Sequence, residues 1–353
     1  MPETPRLTLS SAVGPLVLIA AVVVCGAAAF AYTAGWFSPE RLTPDKIVDA
    51  LTPSGVAQPL GHRRNHAKGV CFTGVFESNG AGAELSRASV FVRGQYPALG
   101  RFNLATPDPN APDATVRVRG LGLMITTPDG QEWRMAMIDP PFFPVATPQA
   151  FYDLLIASSS KDPNAMPTFA KANPEIAKFG EWAKSAPWTG SYAEERFNSL
   201  NSFIFADNSG GEHAARWSLV PAAQPVPVAP DELAKRGPDF LEQEIAERIH
   251  GGPLRWTMQV TLANPGDPTA NPSQPWPEDR KSIDVGALVV QQIEAERDGP
   301  CRDINFDPTV LPSGIQTSDD PFPAARSSAY AKSYDRRTSE ATDYPRTAPE
   351  TKP

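Results

Sequence analysis

The chain has 353 residues, of which 41% are apolar and 20% are charged, a composition typical of a globular protein with a sizeable core. Its formal net charge of −8 argues against nucleic acid or an anionic membrane surface as the main partner. The 39 prolines are spread along the chain, which predicts few long helices and many loops.

The N-terminal segment is strongly apolar. Residues 7–39 include no charged side chain, and residues 16–30 are almost entirely apolar. With its uncharged flanks this run is long enough to cross a hydrocarbon core of about 30 Å as a helix. An uncleaved anchor, with Trp36 and Phe37 at the interface, suits that length better than the alternative, a cleaved signal peptide. We therefore expect residues 1–40 to be a signal anchor that ties the protein to a membrane and places the rest on the non-cytoplasmic, periplasmic side.

The remainder alternates short strands with turn signals, and the helices fall early, in the middle and at the end. Eight strands joined largely by hairpins predict an α+β fold, an antiparallel eight-stranded β-barrel with a helical layer. We place this domain at residues 41–338 and expect a disordered tail at 339–353, which is polar and without periodicity. The predicted strands are 70–76, 89–93, 100–104, 115–126, 132–137, 213–220, 255–262 and 282–294, and the predicted helices include 42–51, 149–157, 174–185, 192–201 and 239–249.

The cysteines suit an oxidising compartment. Cys25 lies in the apolar run, where it serves as a small apolar residue. Cys71 and Cys301 remain as an even pair, and the first and last strands of a closed barrel can be neighbours. We therefore hypothesise a disulfide between Cys71 and Cys301, with two buried free thiols as the alternative.

Two distant segments carry residue types suited to iron and peroxide chemistry. Arg326-Ser-Ser-Ala-Tyr330 places a guanidinium and a phenol on one face of a helix. The guanidinium can hold the phenol as phenolate, which is a strong ligand for ferric iron. Far upstream, Arg63-Arg-Asn-His66-Ala-Lys-Gly69 presents a histidine able to do acid–base work on the other side of such an iron.

These segments belong to an ordered set of motifs that resembles the haem-dependent catalase family, and more closely its short members, the catalase-related peroxidases. The resemblance runs from about residue 42 to residue 337. It implies haem b as the cofactor, a barrel wall that forms the distal face of the haem, and a late helix that supplies a tyrosine. The motifs are His66-Ala-Lys-Gly, Arg101-Phe, Thr115-Val-Arg-x-Arg-Gly120, Pro141-x-Phe-Pro-Val-Ala-Thr-Pro148, Asn305-Phe-Asp-Pro-x-x-Leu-Pro-x-Gly-Ile315 and Arg326-x-x-x-Tyr330.

The resemblance implies roles at the iron. Tyr330 would be the axial ligand of the haem iron, and Arg326 would keep it ionised. His66 would take a proton from peroxide and return it to the departing oxygen, which converts a poor leaving group into water. Without the motif context, His66 is equally well a hydrogen-bonded barrel histidine and Tyr330 an ordinary residue of an amphipathic helix.

The resemblance also implies residues that bind the haem periphery. Arg63, Arg101 and Arg337 would pair with the two propionates, since bidentate guanidinium groups suit carboxylates. Arg64 is adjacent to Arg63 and could serve instead. Phe151 would stack near the haem, although it could equally be a core residue of its own helix.

Two positions depart from the family pattern. The family places a distal asparagine just before the Pro-x-Phe segment, and here that residue is Ile138, which cannot donate a hydrogen bond to peroxide. An ionised Asp139 beside it could only accept a hydrogen bond, and a local shift could bring it toward the pocket. Asn103 stands where the family has Ser or Thr, and its amide could still hydrogen-bond His66 and fix its tautomer.

We therefore predict an enzyme, a peroxidase that reduces hydrogen peroxide or organic hydroperoxides with a small organic electron donor and has weak catalase activity. Two other functions stay open: rearrangement of fatty-acid hydroperoxides on the same fold, and non-enzymatic haem binding or sensing. The sequence does not identify the donor, and it is compatible with an oligomer.

Overall fold

A computed structural model of the chain describes residues 9–36, 38, 40–52 and 57–347, and it divides into two units, Met1–Thr43 and Pro44–Pro353. The first contains α1 (Leu9–Thr33). By length and composition, Val13–Thr33 could cross a membrane, and a signal sequence would pass the same test. Trp36 is exposed, whereas Phe37, its predicted companion at the interface, lies outside the described residues.

Strands of the second unit form a closed antiparallel barrel. Within residues 57–347, eight strands hydrogen-bond in the ring β1–β2–β3–β4–β5–β7–β8–β9, and β9 pairs back onto β1. Two short strands, β6 and β10, extend from β7. This arrangement confirms the predicted eight-stranded antiparallel barrel. The strands are β1 (Gly69–Ser78), β2 (Gly94–Leu104), β3 (Arg119–Thr126), β4 (Glu132–Ile138), β5 (Phe197–Asn198), β6 (Phe203–Ala206), β7 (Glu212–Pro221), β8 (Leu254–Leu262), β9 (Ser282–Ala295) and β10 (Ile315–Thr317).

Large side chains fill the interior of the barrel. Along β4, the buried residues Trp133, Met135 and Met137 alternate with partly exposed ones, as expected for a strand with one face on a core. Phe102 packs against Phe72, with ring centroids 4.7 Å apart. Each such side chain contributes about 1.5–3 kcal/mol by leaving water. Because the interior is packed, a ligand site must lie on the outer wall.

Helices cover part of that wall. The helix α3 begins at Thr147, whose hydroxyl accepts a hydrogen bond from the Ala150 amide at 3.1 Å, with Pro148 at the first position. The last helix, α8, begins beside Asp320, whose carboxylate accepts from the Phe322 amide at 2.9 Å. The helices are α2 (Pro44–Ala50), α3 (Pro148–Ser159), α4 (Ala165–Ala172), α5 (Ile176–Ser185), α6 (Pro230–Leu233), α7 (Phe240–Arg248) and α8 (Phe322–Ser339).

Two sequence predictions differ from the structure. Residues 89–93 are not a strand, because a 3-10 helix occupies Ser89–Phe91 and β2 begins only at Gly94. Residues 192–201 are not one helix, because Phe197–Asn198 pairs with β4 and β7 and closes the ring. Tertiary pairing overrides local helical preference there. Of the tail predicted to be disordered, 339–347 is described, and 348–353 lies outside the described residues.

The two cysteines of the barrel form a disulfide. Cys71 on β1 and Cys301, in the loop after β9, are bonded, with their Cα atoms 5.4 Å apart. The bond confirms the hypothesised pairing and joins the β1–β9 pair to the loop that follows it.

Candidate functional site

A cavity of about 320 Å³ lies against the outer wall of the barrel and α8. Ala136, Met137 and Ile138 at the end of β4 line it, and Met137 also belongs to the core of the barrel. The cavity brings together all seven site residues predicted from the sequence, namely Arg63, His66, Arg101, Phe151, Arg326, Tyr330 and Arg337.

His66 is oriented by Asn103. Nδ1 of His66 lies 2.6 Å from Oδ1 of Asn103, and the Asn103 amide nitrogen donates to the Arg101 carbonyl at 3.3 Å. Because the Asn103 nitrogen donates to Arg101, its oxygen is the atom that faces the His66 ring. An amide oxygen only accepts, so Nδ1 of His66 carries the proton and Nε2 is the free base. Burial lowers the pKa of His66 to about 4, opposed by the Asn103 hydrogen bond and assisted by nearby arginines. The imidazole is therefore neutral near pH 7.

The backbone of His66 is held in an uncommon conformation. Its φ of 55° is in the left-handed region, which costs a non-glycine residue about 1–3 kcal/mol. Arg101 donates to the His66 carbonyl at 2.8 Å and to the Ala67 carbonyl at 3.1 Å. Glu296 binds the same guanidinium in bidentate fashion, at 2.7 and 2.6 Å. Arg101 thus already has a carboxylate partner and braces the histidine loop.

The predicted pairing of Arg326 with Tyr330 is present on α8. Nη2 of Arg326 donates to the Tyr330 hydroxyl at 3.0 Å and to the Ala136 carbonyl at 2.9 Å. Nη1 donates to Oδ1 of Asn201 at 2.8 Å, and the Asn201 amide donates to Asp320 at 2.9 Å. The guanidinium is therefore fixed from both the helix and the barrel, with one N–H directed at the phenol oxygen.

Arg63 and Arg337 form a cationic pair at the cavity. Both donate to the carbonyls of Arg302 and Ile304. Burial lowers the pKa of Arg63 well below its usual value, with repulsion from Arg337 next, and burial lowers the pKa of Arg337 to about 10. Arg337 makes no ion pair in the described part of the chain, and Arg63 approaches Glu296 at 4.0 Å. A buried and a half-buried cation with so little counter-charge fit an anionic ligand such as a pair of carboxylates.

Arg64, the alternative to Arg63, is turned away from this pair. It is buried and forms an ion pair with Glu340, the residue that follows α8. It is absent from the cavity lining, so the structure favours Arg63 as the arginine available to a ligand.

An aromatic group closes one side of the cavity. Phe151 on α3 lies 5.3 Å from Phe143 between ring centroids, and Phe143 lies 4.9 Å from Phe322. Such surfaces suit a flat apolar ligand.

The side chains of Ile138 and Asp139 point in different directions, and only that of Ile138 lines the cavity. Ile138 lines the cavity, whereas Asp139 accepts from Arg117 at 2.9 Å and from the Arg119 backbone amide at 2.8 Å. Burial raises the pKa of Asp139 to about 7, and the charge of Glu195 adds to the effect. Asp139 does not reach the cavity, so the shift considered from the sequence does not occur, and position 138 offers only an apolar side chain.

Sequence reasoning missed several supporting groups. Glu296, Asn201 and the carbonyls of Arg302 and Ile304 orient the predicted arginines, yet they lie far from them in sequence. No local pattern marks them. Asn65 also lines the cavity, and its position beside His66 was the available signal.

Comparison with known proteins gives a consistent picture. The family model described as Catalase matches residues 58–349. A catalase-related peroxidase from Synechococcus elongatus is 34% identical over 309 residues, which cover 86% of this chain and 91% of that protein. Another from Mycolicibacterium paratuberculosis is 31% identical over 300 residues, covering 84% and 95%.

Solved structures show the same fold at lower identity. A bacterial catalase superposes with a TM-score of 0.69 at 20% identity, covering 78% of this chain and 57% of that one. Catalase A from Saccharomyces cerevisiae gives 0.70 at 19% identity, covering 78% and 61%. At these identities the likeness establishes the fold of the barrel and its helices.

Proposed function

The chain belongs to the catalase family and is an oxidoreductase that acts on peroxide, and from this premise we propose that it is a haem-dependent peroxidase. Its oxidising substrate is hydrogen peroxide or an organic hydroperoxide, and its reductant is a small organic electron donor. One observation carries the proposal: a single cavity holds an arginine-bound tyrosine from α8 and a neutral histidine from the barrel.

The residues present fit haem b. Tyr330 would supply an oxygen ligand to ferric iron, with an N–H of Arg326 directed at that oxygen. Arg63 and Arg337 are cations with little counter-charge and suit the propionates, and Phe151 suits contact with the ring. Arg101, which is bound by Glu296, acts chiefly on the His66 loop. Bound haem would supply the redox chemistry that these side chains lack.

His66 transfers the proton between the two oxygens of peroxide. Its unprotonated Nε2 accepts a proton from peroxide and returns it to the departing oxygen, which leaves as water. Asn103 keeps Nδ1 protonated, so the base presents the same nitrogen at each turnover. Overall, one peroxide and two electrons with two protons from the donor give two waters, or water and an alcohol from an organic hydroperoxide.

Weak catalase activity follows from Ile138. Dismutation requires a second peroxide to be positioned as the reductant, and an apolar side chain gives it no hydrogen bond. An organic electron donor therefore competes well with the second peroxide as the reductant.

We also propose that α1 anchors the domain on the non-cytoplasmic side of a membrane, the periplasm. Two observations support this location: Val13–Thr33 is long and apolar enough to span, and a Cys71–Cys301 disulfide persists in oxidising compartments. Protease added to intact spheroplasts should digest the domain; complete protection would contradict this orientation.

Rates measured on one haem-loaded preparation test the activity. With millimolar hydrogen peroxide and a phenolic donor, we expect donor oxidation to exceed oxygen evolution. Oxygen evolution at high turnover that exceeds donor oxidation would refute the peroxidase assignment. Rearranged products from a fatty-acid hydroperoxide, without donor consumption, would favour the isomerising alternative. Haem uptake without any peroxide-dependent donor oxidation would favour a haem-binding or sensing module.

A further inference from the structure

The asparagines lining the cavity differ in which of their atoms are free. Asn103 and Asn201 use both ends of their amides, because their oxygens bind His66 and Arg326 while their nitrogens donate to protein acceptors. Each amide nitrogen has a second N–H, but its direction is set by these two bonds, which hold the amide against His66 or Arg326.

Asn65 is arranged differently. Its Oδ1 accepts a hydrogen bond from the backbone amide of His66 at 2.9 Å. The reverse orientation of the amide would place two donors against each other, so the contact fixes which end is the nitrogen. Across the described part of the chain, Nδ2 of Asn65 has no hydrogen-bond acceptor, and it is not sealed within protein. It is thus an uncommitted donor at the cavity wall, one residue from the candidate base.

The position of this donor complements the substitution at 138. Ile138 lines the same cavity without a polar atom, and Asp139 is bound by Arg117 outside it. Asn305 also lines the cavity, but it belongs to the loop whose carbonyls bind Arg63 and Arg337, and within the described residues it forms no hydrogen bond with His66. Asn65 is therefore the amide best placed to act together with the histidine.

We propose that Asn65 donates the hydrogen bond that positions peroxide for proton transfer to His66. This inference rests on the proposed function, since it requires haem and peroxide in the cavity. The amide N–H would bind one peroxide oxygen while the O–H of peroxide faces Nε2 of His66. As the O–O bond breaks, the same N–H would stabilise charge on the oxygen it contacts. No bond to Asn65 forms or breaks.

The test uses a swap of the two positions in the full-length, haem-loaded protein. Asn65→Leu removes the donor at nearly constant size, and Asn65→Leu with Ile138→Asn returns an amide from the other side of the cavity. Two quantities are measured: the rate constant for reaction with hydrogen peroxide, and the affinity for fluoride, an anion that accepts hydrogen bonds but transfers no electrons.

We expect Asn65→Leu to lower both quantities about tenfold, since a hydrogen bond to a charged acceptor has roughly that effect. The double variant should recover to within about threefold of the unaltered protein. Asn110→Leu, at an exposed position outside the cavity lining, is the matched comparison and should change fluoride affinity less than about twofold. If Asn65 had only a structural role, Ile138→Asn would not restore the peroxide rate or the fluoride affinity of Asn65→Leu.

If Asn65→Leu does not retain haem, Asn65→Asp provides the answer, because a carboxylate keeps the acceptor for the His66 amide and lacks the donor. Fluoride affinity that is unchanged in Asn65→Asp or Asn65→Leu, or failure of Ile138→Asn to restore it, would overturn the inference. Should the unaltered protein take up no haem or ignore peroxide, the proposed function itself fails, which is a different result.

Discussion

The two walls of the cavity differ in how many parts of the chain form them. The helix wall, formed by Arg326, Tyr330 and Arg337, comes from one helix, α8. The barrel wall, formed by His66, Asn103 and Ile138, comes from a loop and the ends of two strands. The helix wall keeps every residue that the family resemblance implies, whereas the barrel wall departs from it at Asn103 and Ile138. The proposed iron ligand and the proposed proton carrier therefore reside on separate elements, and we expect them to respond separately to mutation.

The largest effect should come from the barrel wall. His66→Gln removes the base and should lower the rate of reaction with peroxide by about 10²–10⁴-fold, the usual contribution of general acid–base catalysis. Haem content and the ferric absorption spectrum should stay unchanged. His250→Gln, at an exposed position outside the cavity lining, is the matched control. A rate within threefold of the unaltered protein would rule out His66 as the proton carrier.

An intermediate effect should come from the helix wall. Arg326→Gln takes the charged donor away from Tyr330 and should weaken haem affinity about 10–100-fold, as is usual for groups that orient a metal ligand. Arg336→Gln, on the same helix but paired with Asp45 and Asp49, should leave haem affinity as it is. Equal losses in the two variants would mean that general helix stability, rather than the phenol contact, is responsible.

The smallest effect concerns pH. Burial lowers the pKa of His66 to about 4, so the base is free throughout pH 5–8 and the rate with peroxide should be flat there. Below the pKa the protonated fraction rises, and the rate should fall about tenfold per pH unit. Stopped-flow rates in buffers of constant ionic strength give the midpoint. A midpoint of the rate profile near pH 6.5 would contradict this prediction, because it would show that His66 is solvated.

Sequence predicted the helix wall almost completely, because a spacing of four residues on one helix fixes which side chains are neighbours. The barrel wall was only partly predictable. The contact of His66 with Asn103 followed from the motif order, whereas the hold of Glu296 on Arg101 depends on how β9 pairs with β1.

Long-range pairing explains the other failures as well. Residues 197–198 resemble part of a helix in isolation, yet they close the barrel through β4 and β7. The sequence left the orientation of Asp139 undecided, since it depends on Arg117, which precedes β3, and on Arg119, the first residue of β3.

The central claim is that this cavity binds haem through Tyr330. The most direct measurement is the absorption spectrum, with a haem assay, of the purified protein, of Tyr330→Phe and of Tyr334→Phe. Tyr334 lies one turn further along α8 and also lines the cavity, so it tests the identity of the ligand. We predict a high-spin ferric spectrum that Tyr330→Phe alters or abolishes and Tyr334→Phe preserves. No haem uptake by the unaltered protein, or a spectrum indifferent to Tyr330→Phe, would contradict the account.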